Sequence, residues 1–321
     1  MLNFFGTEFE LKISKIVGEP IATKNLAVKR ILDTIANIDS APAGDLVYEV
    51  QGIDPDVDTV LDTDSEGNVT AVKKTQVGTA IVTFKELESP LYYRKLGDLL
   101  NNFDTKAIAR ANDSIARGLD KREVKIVLKA ITDASSITPT QDATHKQVKK
   151  VVAASSDDLY DVLDEALRTV EDYGDAFAWL CGTEAYKAIG RYNKAKASNF
   201  NYKVDLVADM KKLGALDPIK VAGQVKLTTG GSAQKLLDPN YVIFVATAGG
   251  DKPIDFIRRK IDPAIAKLTG GSVDTMQRLT LVKNLITGDS KSTVGLFGWE
   301  SVVAVIKNPL KIVVVDLSAI L

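Results

Sequence analysis

The chain has 321 residues, of which 45% are hydrophobic and 26% charged, an ordinary composition for a soluble globular protein. Its 41 Lys and Arg against 42 Asp and Glu give a formal net charge of −1, without the basic excess typical of nucleic-acid-binding proteins. One cysteine, Cys181, and one histidine, His145, exclude an intrachain disulfide framework and most metal sites. No apolar run reaches the ~18 residues of a membrane span and no signal peptide is evident, so we expect cytosolic synthesis.

The first predicted element is an N-terminal arm, residues 1–44, that contains a local helix. Residues 24–38 place Leu26, Ile31 and Ile35 at helical spacing. The Pro and Gly of residues 41–44 then interrupt the helix.

A long β-hairpin is predicted over residues 45–86. One extended arm is residues 46–51, and the other covers residues 69–72 and continues at 77–84. The tip between them is acidic and rich in turn-forming residues. An isolated two-stranded hairpin is only marginally stable in water, so we expect support from outside this polypeptide.

A long helix is predicted from Asp104, a plausible N-cap, to Ile131. Gly118 could loosen it, and Asp120 with Glu123 forms a second capping-box pattern, so two nearly collinear helices are the alternative. We favour one helix, with its other face rich in Lys and Arg. One apolar stripe contains Ile108, Ala111, Ile115, Leu119, Ile126 and Ala130.

The rest of the chain is predicted as a mixed block followed by closing antiparallel strands. The expected helical segments are residues 91–96, 156–170 and 183–189, and polar loops are expected at 135–147 and 193–203. The expected strands are residues 177–181, 219–222, 241–246, 254–257, 291–299, 302–306 and 311–316. This element order favours an α+β fold over repeated βαβ units.

Candidate chemical motifs are few. Residues 62–67 begin like a calcium-binding loop, but the twelfth position, which needs a bidentate Glu, is Lys73. Residues 288–293 lack the glycine spacing of a phosphate-binding loop. His145 lies in a polar segment and Cys181 in an apolar strand, so no nucleophile–base pair is indicated.

The order of hairpin, Lys/Arg-rich helix and terminal β segment resembles the major capsid proteins of tailed bacteriophages, the Hong Kong 97-type fold. Residues 45–85 resemble the extended loop, and residues 107–123 resemble the spine helix of the peripheral domain. Residues 177–186 resemble the start of the axial domain, and residues 297–306 resemble strands that return to the peripheral domain. The resemblance covers nearly the whole chain and rests on element order.

The resemblance implies a division of the chain into five parts. These are an N-terminal arm (1–44), an extended loop (45–86), a peripheral domain with the spine helix (87–150), an axial domain (151–290) and returning terminal strands (291–321).

The resemblance also implies a protein that self-assembles through pentamers and hexamers into an icosahedral shell around double-stranded DNA, without catalysis or a cofactor. In that family the extended loop lies over a neighbour's peripheral domain and N-terminal arms cross subunit boundaries. Some members cross-link a loop Lys to a neighbour's Asn. The candidate assembly contacts here are Lys73, Lys74, Arg110, Arg117, Arg122 and Asn308.

Further expectations concern partners and location. The hairpin begins about 45 residues from Met1, so we expect a separate scaffolding protein, together with a portal and, in some members, a decoration protein. The protein would reside in the virion, contact DNA without sequence specificity and bind no membrane. Two alternatives stay open: an encapsulin-like compartment that loads an enzyme, and an enzyme of unrecognised type that uses His145.

Overall fold

The computed structural model describes residues 26–41, 47–51, 77–81, 84–88, 92–95, 105–136, 148–199, 205–226, 231–247, 252–260, 278–286 and 292–321. The helices in these ranges are α1 (Leu26–Ile35), α2 (Thr105–Ser136), α3 (Leu159–Glu171), α4 (Thr183–Asn199) and α5 (Leu206–Lys212). The strands are β1 (Ala36–Ala41), β2 (Val47–Gln51), β3 (Val77–Ile81), β4 (Lys85–Glu88), β5 (Tyr92–Lys95), β6 (Lys149–Val152), β7 (Phe177–Cys181), β8 (Ile219–Lys220), β9 (Gln224–Val225), β10 (Gln234–Lys235), β11 (Tyr241–Ala246), β12 (Ile254–Arg259), β13 (Arg278–Ile286), β14 (Ser292–Ile306) and β15 (Ile312–Asp316). The predicted α+β class is confirmed.

Strand β14 organises the first sheet because other strands pair along both of its edges. Trp299 and Glu300 pair with β13 and also with β4, so these two strands lie on opposite edges. Val302 pairs with β4 and β12, which places β12 beyond β13 on the same edge. β5 pairs antiparallel with β14, and β1 extends the sheet in parallel to β12.

The N-terminal arm differs from its prediction. Helix α1 ends at Ile35 rather than Ile38, and the chain continues as β1. Ile31, Leu32 and Ile35 are buried in this subunit's own core. The described part of the predicted arm is therefore integral to the subunit, because pairing with β12 fixes its position.

The predicted helical turn at residues 91–96 is wrong. Residues 92–95 form β5, which pairs with residues 293–296 of β14. Tyr residues favour strands over helices, and a partner strand about 200 positions away in sequence decides the outcome.

The second sheet has the strand order β6-β15-β11-β7-β8. Its strands alternate between two cores: Leu180 and Val314 face one, whereas Trp179 and Val313 face the other. The second core also contains α3, α4 and α5 side chains, and the Trp179 and Phe244 rings stack with centroids 5.6 Å apart. Burial on both faces explains why β7 and β15 are continuous apolar runs rather than alternating ones.

The closing strands depart from the prediction in one respect, because residues 292–306 form one strand rather than two. β15 lies inside the second sheet. β12 and β13 pair with β14 in the first sheet, and the division of the chain into peripheral and axial domains stays a prediction. Sheet membership depends on long-range pairing, which local sequence patterns do not encode.

The predicted strands at 177–181 and 241–246 and the helix after Ser156 are confirmed. Helix α3 starts at Leu159, where the Asp158 side chain accepts a hydrogen bond from the Tyr160 N–H at 2.9 Å. The loop expected at 193–203 is wrong for residues 193–199, because α4 continues to Asn199.

Candidate assembly surface

The predicted hairpin is confirmed at its base. β2 and β3 pair antiparallel, from Val47 opposite Ile81 to Gln51 opposite Val77. Among the described strands, this pair joins neither of the two larger sheets. Segment 52–76, with Lys73 and Lys74, lies outside the described residues. After β3 the chain continues to β4, and Leu87 of β4 belongs to the main hydrophobic core of the subunit.

Helix α2 is one continuous helix, as the sequence predicts, and it packs against strands of both sheets, including β14 and β15. Ile115, Leu119 and Ile126 from the predicted stripe are buried. Ala111 and Ala130 are half-buried, and the side chain of Ile108 lies outside the described ones. The burial extends further round the helix in its second half, where Val124, Val127, Leu128 and Ile131 are also buried.

A buried ion pair fixes α2 to the first sheet. The Glu123 carboxylate, with its side chain only 2% exposed, accepts hydrogen bonds from Arg258 of β12, from Nε at 2.7 Å and Nη2 at 2.9 Å. Two parallel bonds define the relative orientation of both groups as well as their distance. This contact sets the position of the helix on the sheet.

Arg122 lies next to this pair and also turns inward. Its Nε donates to the Lys226 carbonyl at 3.2 Å. Burial lowers the pKa of Arg122, while the negative charge of Glu300, a fully buried residue of β14, acts in the opposite direction. The sequence nominates Arg122 as an assembly contact; the structure gives it a contact within its own subunit, and its role between subunits stays a prediction.

A second polar cluster links α1 and β1 to β12 and the residues on either side of it. Asp255 of β12 is buried, and its Oδ1 accepts from Asn37 Nδ2 at 3.0 Å and lies 3.0 Å from Lys307 Nζ. Lys252 donates to the carbonyls of Asp33 and Ala36. These contacts explain why the described N-terminal residues stay with this subunit.

The outward side of α2 carries a row of cations, called here the basic stripe: Arg110, Arg117, Lys121, Lys125 and Lys129. Spacings of seven and four residues place them along one side of the helix. Arg110, Arg117 and Lys129 are exposed, whereas Lys121 and Lys125 are half-buried.

The two ends of the basic stripe differ in their contacts. Lys129 forms an ion pair with Asp133 at 2.7 Å, and Lys125 Nζ donates to the Lys235 carbonyl at 2.6 Å. A groove of about 430 Å³ lies at this end, between α2 and residues 234–241. Arg110 and Arg117 of the predicted contacts therefore lie at the exposed end.

Asn308 has a local structural role. Its Oδ1 accepts from the Leu310 N–H at 3.1 Å and caps the short 3₁₀ helix Pro309–Lys311. This turn carries the chain from β14 in the first sheet to β15 in the second. A cross-link from Asn308 to a lysine of another subunit stays a prediction.

The described residues contain no group of three or more His, Cys, Asp or Glu that could hold a metal ion. Cys181 is fully buried, and burial raises the pKa of its thiol. His145 lies outside the described residues, as does the segment that resembles a calcium loop. Among the described helices, none has the length and apolar character to span a membrane.

Sequence reasoning missed the buried acids. Glu123 and Asp120 suggested a capping box, yet both are buried in the middle of a continuous helix. The partner of Glu123 is 135 positions away, so no local signal identifies the pair. Glu300 and Asp255, in otherwise apolar strands, are the sort of exception that could have prompted a search for buried partners.

No protein-family model and no curated protein sequence matches the chain. Its fold is similar to the capsid of an empty GTA particle, with a TM-score of 0.57 and 10% identity over 92% of this chain and 91% of that chain. A candidate capsid protein of a prophage of E. coli CFT073 gives 0.54 and 11% identity over 98% and 99%. A virus-like particle from Pyrococcus furiosus gives 0.50 and 15% identity over 97% and 100%.

These likenesses extend over nearly the whole chain. The chain therefore has the phage major capsid fold, as the resemblance in its sequence implied.

Proposed function

We propose that this chain is the major capsid protein of a tailed bacteriophage, a non-catalytic subunit of an icosahedral shell around double-stranded DNA. The observation that carries the proposal is the combination of this fold with a hairpin whose described strands join neither of the two larger sheets. β2 and β3 pair with each other and with no other described strand.

Within the described residues, β2 and β3 have no third strand to pair with. A two-stranded hairpin is marginal alone, and three or more strands or a packing surface are needed for stability. A closed shell supplies such surfaces, because each copy gives its projection to one neighbour and receives one from another. The near-zero net charge also suits a container, since many phosphate contacts would hold the DNA tightly.

The finer assignments follow from the same proposal. The extended loop covers a neighbour, the part built on α2 and the first sheet forms the peripheral domain, and the part built on the second sheet forms the axial domain. Pentamers and hexamers, a separate scaffolding protein, a portal and possible decoration proteins are the proposed partners. The mature location is the virion.

Expression followed by sedimentation and electron microscopy tests the proposal. The expected result is shells, or free pentamers and hexamers, either alone or with the scaffolding protein of the same phage. A protein that stays monomeric under every assembly condition, with that scaffold present, would contradict it.

An encapsulin-like compartment is the second candidate, because a virus-like particle from Pyrococcus furiosus has a similar fold and such a shell can hold a protein cargo. The contents of purified particles separate the two functions. Nuclease-protected double-stranded DNA supports the phage capsid, whereas a stoichiometric protein cargo without DNA supports the compartment.

A further inference from the structure

An amine and a carboxamide from distant parts of the chain meet at one carboxylate oxygen on the first sheet. Asp255 of β12 lies opposite Asn37 of β1 and opposite Val305 of β14, and Lys307 follows two residues after Val305. Residues two apart along a strand lie on the same face of a sheet. Asp255 Oδ1 accepts a hydrogen bond from Asn37 Nδ2 at 3.0 Å and lies 3.0 Å from Lys307 Nζ.

The surroundings of this carboxylate are largely closed to water. The Asp255 side chain is only 5% exposed. Ile257 and Val303 form a small buried apolar cluster beside it, and Val305 packs against that cluster. Taking an ion pair out of water costs free energy that its own attraction does not always repay. A reaction that converts the pair into neutral groups is therefore favoured at this place.

The geometry also suits a reaction between the two nitrogen-bearing groups. Because each nitrogen lies 3.0 Å from the same oxygen, Lys307 Nζ and Asn37 Nδ2 are at most about 6 Å apart. Rotation within the flexible Lys307 side chain can bring Nζ to the roughly 3–3.5 Å at which an amine attacks a carbonyl carbon. Asp255 is within hydrogen-bond distance of both groups, as a general acid–base catalyst must be.

We propose that Lys307 and Asn37 form an isopeptide bond within the subunit, with Asp255 as the catalytic acid–base group. Asp255 takes a proton from the Lys307 ammonium, and the resulting amine attacks the carboxamide carbon of Asn37. The bond from this carbon to Nδ2 breaks, and Nδ2 leaves as ammonia with one of the two protons that Lys307 gives up. The other proton stays on Asp255. The buried ion pair thus becomes an amide beside a neutral carboxylic acid, and no oxidant or cofactor is consumed.

The bond links β1 covalently to the end of β14, across β12. Among the described strands β1 pairs with β12 alone, so one row of hydrogen bonds otherwise holds it in the sheet. The cross-link closes a loop of about 270 residues, and such a closure stabilises a fold by restricting the unfolded chain. The inference concerns a single subunit and does not depend on the proposed function.

Mass spectrometry of the intact, denatured wild-type chain tests the inference. The expected mass is lower than that of the sequence by one ammonia. Proteolysis should release a branched peptide that contains both Asn37 and Lys307. The variants Lys307→Arg and Asp255→Ala should each keep the full sequence mass, and Lys307→Arg should unfold at a lower temperature than the wild type.

Lys252 provides a matched control. It lies beside the same cluster, but its amine donates to the backbone carbonyls of Asp33 and Ala36. Lys252→Arg should therefore lose ammonia like the wild type.

Two results would overturn the inference. A wild-type chain of full sequence mass would leave Lys307 and Asp255 as an ordinary ion pair, and this result needs no variant to fold. Loss of ammonia that persists in Lys307→Arg, without a branched peptide, would show instead that an Asn side chain has cyclised onto its own backbone.

Discussion

Charged side chains buried between α2 and the first sheet are the residues that give this fold its geometry. Glu123 and Glu300 are both almost fully buried there, and Arg258, the partner of Glu123, is 135 positions away in the sequence. Such pairs contribute little net stability compared with apolar side chains, but breaking one is costly. Their value here is the fixed orientation of the helix that carries the basic stripe.

The Glu123–Arg258 pair gives the first residue-scale prediction. Arg258→Met leaves the buried Glu123 carboxylate without its bidentate partner and should lower the free energy of unfolding by about 3–5 kcal/mol. Urea denaturation of the subunit measures the loss. The double variant Glu123→Leu, Arg258→Met should be less destabilised than the single one. A single-variant loss below about 1 kcal/mol would show that the pair is not buried as described.

A second residue-scale prediction concerns pH. Burial alone would raise the pKa of Asp316, but hydrogen bonds from Ser318 and Lys150 outweigh it and lower the pKa below its ordinary value. Lys150 Nζ lies 3.0 Å from Asp316 Oδ2 and joins β6 to β15. A carboxyl with a lowered pKa stabilises the fold above the unfolded-state pKa of about 4, and this contribution is lost as the pH falls through the folded value.

The corresponding variant is Asp316→Asn. It should be less stable than the wild type at about pH 7, and the difference should shrink as the pH falls below about 4. Thermal unfolding across this range measures it. A difference that stays constant down to about pH 2 would mean that the charge of Asp316 contributes nothing.

Single elements with strong local signals were predictable from the sequence, and their partners were not. Four features were predictable because they depend on nearby residues: the apolar runs of β7 and β11, the N-cap of α3 and the length of α2. β1 and β5 are not, since their positions depend on pairing with β12 and β14. The same reason explains β15: its apolar run predicts a buried strand but not the sheet that contains it.

The candidate assembly surface was also predictable only where it depends on nearby residues. The Lys/Arg-rich face of α2 and the acidic tip of the hairpin are visible in the sequence. The inward turn of Arg122 towards Lys226 and the capping role of Asn308 depend on tertiary contacts, so the sequence could nominate both residues only through the resemblance.

Gly118 lies within α2, and a substitution there tests whether the helix is continuous. A Cβ added there meets nothing within 4 Å, and α2 is continuous through this position. Gly118→Ala should therefore stabilise the subunit by about 1 kcal/mol, because Ala loses less backbone entropy in a helix. As a contrast, a Cβ at Gly182 would lie 2.1 Å from the Asp238 carbonyl oxygen, so Gly182→Ala should destabilise. Destabilisation by Gly118→Ala would mean that the helix is interrupted there.

In the whole molecule, α2 and the turn from β14 to β15 join two sheets into one body, and the described hairpin strands β2 and β3 pair with neither sheet. Stability and assembly should therefore be separable. We expect the core residues to determine the stability of the subunit and segment 52–76 to determine its assembly.

Deletion of Ile53 to Asn68 tests this separation. The shortened subunit should stay folded and soluble, with a free energy of unfolding within about 0.5 kcal/mol of the wild type, but should form no normal shells. Circular dichroism and sedimentation measure the two properties. Aggregation of the shortened monomer would show that the tip belongs to the core.

The central claim is that the hairpin is one half of a contact between subunits, and a high-resolution reconstruction of the assembled shell tests it most directly. The predicted result is that segment 52–76 of one subunit lies over its neighbour. Density for that segment packed only against its own subunit would contradict the claim.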